Sequence, residues 1–101
     1  MIPLYEKEGL DMETYQGQLI KGEFSIRENE FIIKEIKHLE TQSILQSSQI
    51  EALHEYLIKQ IKGDESCVIT VNDQMPVRLS REEAEVLLQD LDKLIHRMHI
   101  H

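Results

Sequence analysis

The sequence predicts an α+β domain dominated by helix, in the order N-terminal arm, long central helix, β-hairpin and C-terminal amphipathic helix. Three observations predict it. Residues 25–62 contain neither Gly nor Pro and are rich in Ile, Leu, Glu, Lys and Gln. Within them Ile32, Ile36, Leu39, Ile50, Leu53 and Leu57 follow an alternating four-and-three spacing, which lines up one seam of a helix as in a coiled coil. Further on, a β-branched run with turn residues after it precedes a helix-capping motif and an apolar stripe of helical period.

In chain order, residues 1–22 form the arm. Pro3 and Gly9 interrupt it, and the alternation around residues 15–21 allows one short strand there. Residues 23–101 then form one helix–hairpin–helix domain. Ser25-Ile26-Arg27-Glu28 has the form of a capping box, with Ser25 as N-cap and Glu28 reaching back. A competing reading makes Phe24-Ile26 and Phe31-Ile33 two strands joined through Glu28-Asn29, so that the chain repeats a strand–strand–helix unit. The helix is preferred because neither face of residues 31–39 alternates cleanly, whereas Ile32, Ile36 and Leu39 fit the helical seam.

Thr41, Ser43, Ser47 and Ser48 weaken the middle of this helix, since their hydroxyls compete for backbone hydrogen bonds. A bend near Ser47, or a second helix capped by Ser47 or Ser48, is the alternative. Gly63 closes the helix behind Lys59 and Lys62. Cys67-Val68-Ile69-Thr70-Val71, the turn residues Asn72-Asp73-Gln74 and Met75-Pro76-Val77-Arg78-Leu79 read as a hairpin, with Met75, Val77 and Leu79 on one face. Ser80-Arg81-Glu82-Glu83 is the strongest capping box. It opens a helix to about Met98 whose stripe is Ala84, Leu87, Leu88, Leu91, Leu94, Ile95 and Met98.

The formal charge of −8 is carried by the two ends. Residues 1–30 hold seven acids and three bases and residues 63–101 eight and four, while residues 31–62 balance at four each. Phosphate backbones and anionic membranes reward clustered Lys and Arg, so this distribution disfavours direct nucleic-acid binding and membrane partners. One cysteine forms no internal disulfide, which suits a reducing cytoplasm. Neither a signal peptide nor a membrane span is read.

Candidate chemistry is sparse. His96 and His99 share a helix face and His101 follows, yet a zinc site needs further fixed ligands, so these read as surface histidines and no metal is assigned. His38 and His54 read as solvent or interface-edge residues, and Cys67 as a buried small hydrophobe. Glu82-Glu83 and Asp90-Asp92 read as first-turn charge and solvated helix face. No phosphate-binding glycine loop occurs, and no cofactor is expected.

These readings lead to a small acidic, non-enzymatic, cytoplasmic interaction module acting as regulator, adaptor or inhibitor. It would be a homodimer through Ile32, Ile36, Leu39, Ile50, Leu53 and Leu57, with the polar seam positions Ser43 and Gln46 meeting at the centre of an antiparallel pair. Another protein, basic in charge, would be its partner. The alternative is a nucleic-acid-linked regulator: a dimeric repressor, or an acidic DNA mimic that blocks a DNA-binding protein.

Overall fold

The computed structural model describes residues 12–63, 67–71 and 75–98. It overturns the helix-dominated expectation. The fold is α+β, but residues 25–46 of the expected long helix belong to an antiparallel sheet. That sheet has strand order β1 (Met12–Gln16), β2 (Ile20–Ser25), β3 (Glu30–Ile36) and β4 (Leu39–Gln46). Helix α1 (Ser47–Lys62) follows, then the hairpin β5 (Cys67–Val71) and β6 (Met75–Leu79), and finally α2 (Arg81–Met98). The chain therefore runs strand–strand–helix twice, as β3–β4–α1 and β5–β6–α2.

Two turns explain the difference, one ending on Asn29 and one at Lys37-His38, a pair that rarely signals a hairpin. Ser25 Oγ accepts the Glu28 N–H at 3.2 Å. A helix N-cap makes the same bond, but here it closes a turn over residues 26–29 that ends on Asn29 at φ 56°. Lys37 and His38 follow at φ 51° and 69° and join β3 to β4. Two consecutive left-handed residues are the requirement of a two-residue type I′ hairpin, usually met by Asn-Gly.

The missing alternation has its own cause. Gly22 faces Ile33 and Lys21 faces Glu35, so Lys34 is an extra residue in β3, and in β4 Thr41 and Gln42 together oppose it. This bulge resets the side-chain parity, so Phe31, Ile33 and Ile36 all point into the core although their spacing is not strictly two. Thr41 Oγ1, in the same stretch, is shielded from water and finds no hydrogen-bond partner among the described residues.

One face of the sheet carries Tyr15, Ile20, Phe24, Phe31, Ile33 and Ile36 into a common core with both helices and the hairpin. From α2 come Ala84, Leu87, Leu91, Leu94 and Met98, all buried, as the apolar stripe predicts. Each Leu contributes about 1.5–3 kcal/mol by leaving water. From the hairpin come Cys67, Ile69, Val77 and Leu79. The side chain of Met75 and residues 72–74 of the expected turn lie outside the described residues, as do residues 1–11 of the arm. The strand expected within residues 15–21 is replaced by the ends of β1 and β2 with their connection.

Local signals in the second half are followed closely. Ser80 N–H donates to Glu83 Oε1 at 2.9 Å and Glu83 N–H to Ser80 Oγ at 3.1 Å, a complete capping box. At α1 the Gln46 N–H is held by Gln49 Oε1 at 2.7 Å, so this helix starts just ahead of the serines. Gly63 ends it, donating to the Lys59 carbonyl at 3.1 Å.

Candidate functional site

The residues expected on one helical seam are parted by the fold. Ile36, Ile50 and Leu57 are buried in the chain's own core, and Leu53 is packed against it. Ile32 sits in β3 on the sheet face away from the helices, and Leu39 is exposed at the start of β4. No helix carries all six, so a coiled coil through them is not formed. Ser43 and Gln46, the expected polar centre of that seam, are both in β4.

The most organised polar centre is Asp90, which the sequence reading placed on a solvated helix face. It is 2% exposed and is clasped by the connection between β1 and β2. Its carboxylate accepts the N–H groups of Gln18 at 2.9 Å, Leu19 at 2.7 Å and Ile20 at 3.2 Å. The Tyr15 hydroxyl donates to the Asp90 carbonyl at 2.6 Å. Gly17 makes the approach possible, because a Cβ there would lie 2.5 Å from Asp90 Cγ. Burial, and then the Asp90 charge, push the Tyr15 phenol up to about 12, with Arg97 pulling the other way. A carboxylate saturated by three backbone donors is a structural anchor, since few lone pairs remain for a substrate. The spacing Leu87, Asp90, Leu94 puts Asp90 on the buried stripe, and that was the signal for it.

Beside this anchor an open cleft of about 680 Å³ runs between the β1–β2 connection and the last turns of α2, where Lys93, His96 and Arg97 meet Gln16, Gln18 and Asp92. Arg97 is engaged across it: it pairs with Glu13 at 3.2 Å and lies 5.2 Å from the centroid of the Phe24 ring. His96 is exposed, His99 and His101 lie outside the described residues, and no group of three metal-ligating side chains is found among the described residues.

The other candidates have structural surroundings. His54 Nε2 meets Asp92 Oδ1 at 2.6 Å and so joins α1 to α2. His38 is exposed in the β3–β4 turn. Cys67 is buried, and burial raises its thiol pKa, which opposes use as a nucleophile. Glu83 is held below its ordinary value chiefly by the Ser80 N–H and then by Lys37. Lys37 Nζ stands 3.0 Å from Glu83 and donates to the Arg78 carbonyl at 2.7 Å, tying the β3–β4 turn to β6 and α2.

The candidate interaction surface lies at the opposite side of the sheet. β4 is a terminal strand of eight residues, bonded to β3 along one edge and to no other strand among the described residues. Its one ionisable side chain is Glu40, and it has no Lys or Pro to blunt the edge. On the face away from the helices, Thr14, Glu23, Ile32 and Ile44 form a cross-strand row. Ile44 closes that row 55% exposed, the most exposed large apolar side chain among the described residues, and Leu39 is 42% exposed. Sequence reasoning named Ile32 and Leu39 but assigned them to a helix; it missed Ile44. No helix among the described residues is long and apolar enough to cross a membrane. Comparison with protein-family models, curated proteins and solved structures finds no match to this chain, so the functional reading rests on its own geometry.

Proposed function

We propose that this chain is a small acidic, non-enzymatic protein-interaction module of the cytoplasm that works as a homodimer through the edge of β4. The observation that carries this reading is the edge itself: an eight-residue strand, terminal among the described residues and nearly uncharged, with Ile44 and Leu39 exposed beside it. A strand edge that bonds to no further strand among the described residues is a template for another strand. Antiparallel pairing of β4 with its copy is self-complementary, as a two-fold interface must be. It keeps the homodimer while moving the interface from a helical seam to a sheet edge.

Support for a non-enzymatic role comes from the use of the ionisable groups. Asp90 anchors a loop, Glu83 caps a helix and Cys67 packs in the core. With the edge used for self-association, the acidic surface of the dimer is left to meet a basic protein, as regulator, adaptor or inhibitor.

The test is the solution mass by light scattering of the wild type and of a Leu39→Lys, Ile44→Lys variant. Both side chains are exposed, so the variant is expected to fold and melt like the wild type. A wild-type dimer that becomes a folded monomer in the variant agrees with the proposal. A monomeric wild type, or a dimer untouched by the variant, refutes it.

A further inference from the structure

Between the four-stranded sheet, both helices and β5 the described residues leave a half-open apolar pocket of about 230 Å³. Its wall is built from Ile33 and Ile36 of the sheet, Leu53 and Tyr56 of α1, Ile69 of β5 and Leu87 of α2. Small-molecule sites are concave and lined mostly by apolar side chains with a few polar groups, which is the character of this wall. Water suits it poorly. A buried water needs two to four polar partners, whereas the Tyr56 hydroxyl is already given to the Val68 carbonyl at 3.1 Å and Thr70 is exposed at the rim.

We propose that this cavity is a binding site for a small neutral apolar molecule, the size of one aromatic ring or of a hydrocarbon chain of about eight carbons. The size follows from volume: an apolar cavity of about 150 Å³ accepts benzene, and this one is half again as large. The neutrality follows from the wall, which among the described residues carries no ionisable group other than the engaged phenol of Tyr56. A carboxylate or ammonium drawn inside would lose its hydration without a counter-charge. Entry runs past Val68, which is 44% exposed, between β5 and α1. The Tyr56–Val68 hydrogen bond spans those two elements and latches the opening.

The experiment is titration of the full chain with toluene and n-hexane, with benzoate and hexanoate as charged controls. It is followed by methyl-resolved NMR and by thermal melting. The neutral probes are expected to shift the methyl signals of Ile33, Ile36 and Leu87 saturably and to raise the melting temperature by several degrees, at least tenfold more effectively than the charged controls. Leu53→Trp, which fills the cavity from its half-buried wall, is expected to weaken toluene binding at least tenfold. Should Leu53→Trp fail to fold, the wild-type methyl shifts decide alone, with xenon as a second probe. Lining methyls that stay unmoved, or methyls that move alike throughout the protein, would overturn the proposal. So would charged probes that bind as well as neutral ones.

Discussion

Asp90 and its partners hold the first hairpin against the last helix, and their consequences can be measured. Asp90→Ala strands three backbone donors, two of them half-buried, and is expected to cost about 3 kcal/mol in denaturant unfolding. Asp90→Asn keeps the shape but offers one acceptor oxygen, so about half that loss is expected. Gly17→Ala forces a methyl group onto the Asp90 carboxylate and should destabilise by at least as much as Asp90→Asn. Tyr15 gives the pH dependence. Its folded pKa, about 12, lies above the ordinary phenol value of 10.0, so the folded state holds the proton more tightly. The Tyr15 contribution is therefore complete below pH 10 and is lost as pH rises from 10 towards 12. Tyr15→Phe is expected to remove this part of the alkaline loss, and the wild-type-minus-variant absorbance titration should show one phenol ionising near pH 12.

At the scale of elements, the turns and caps decide what the chain becomes. His38 stands at φ 69°, a left-handed conformation that strains a residue bearing a side chain. His38→Gly should therefore stabilise the protein by about 0.5–1 kcal/mol, read as a rise in the urea midpoint. Ser80→Ala removes one half of the capping box on α2 and is expected to cost about 1 kcal/mol. Because the Ser80 backbone N–H still reaches Glu83, the Glu83 pKa should move up only part of the way. Where cues are local the sequence was readable: Gly63 after two lysines, the hairpin into Pro76 and Leu79, and the stripe from Ala84 to Met98. Residues 25–46 misled because their turns rest on Asn29, Lys37 and His38 in place of Gly. The bulge at Lys34 also broke the period of two that marks a strand. The four-and-three spacing from Ile32 to Leu57 is a coincidence: Ile36, Ile50 and Leu57 point inward from a strand and a helix, whereas Ile32 faces away from the helices and Leu39 is exposed. Asp90 was hidden by its type and visible by its position, three residues after Leu87 and four before Leu94. Ile44 could not be singled out, since exposure on an outer sheet face needs the register with Ile32.

At the scale of the molecule, the described residues form two layers. Among the described residues two helices and a hairpin cover one face of a four-stranded sheet, and β4 is left as a long, almost uncharged edge. Its other edge, β1, is shorter and has Glu13 held by Arg97, which makes it the poorer template. The formal charge of −8 opposes close approach of two copies, so association through β4 should strengthen as salt screens that repulsion. Sedimentation at low and high ionic strength is expected to show a larger dimer fraction at high salt. A basic partner bound to the acidic surface would show the opposite trend.

Hydrogen exchange as a function of protein concentration tests the β4 interface most directly. If two copies pair there, the outward amides of Leu39–Gln46 exchange more slowly as concentration rises, while those of Met12–Gln16 keep their rates. If the β4 rates are independent of concentration, or if concentration protects a helix instead, the sheet edge is not where this protein meets its copy.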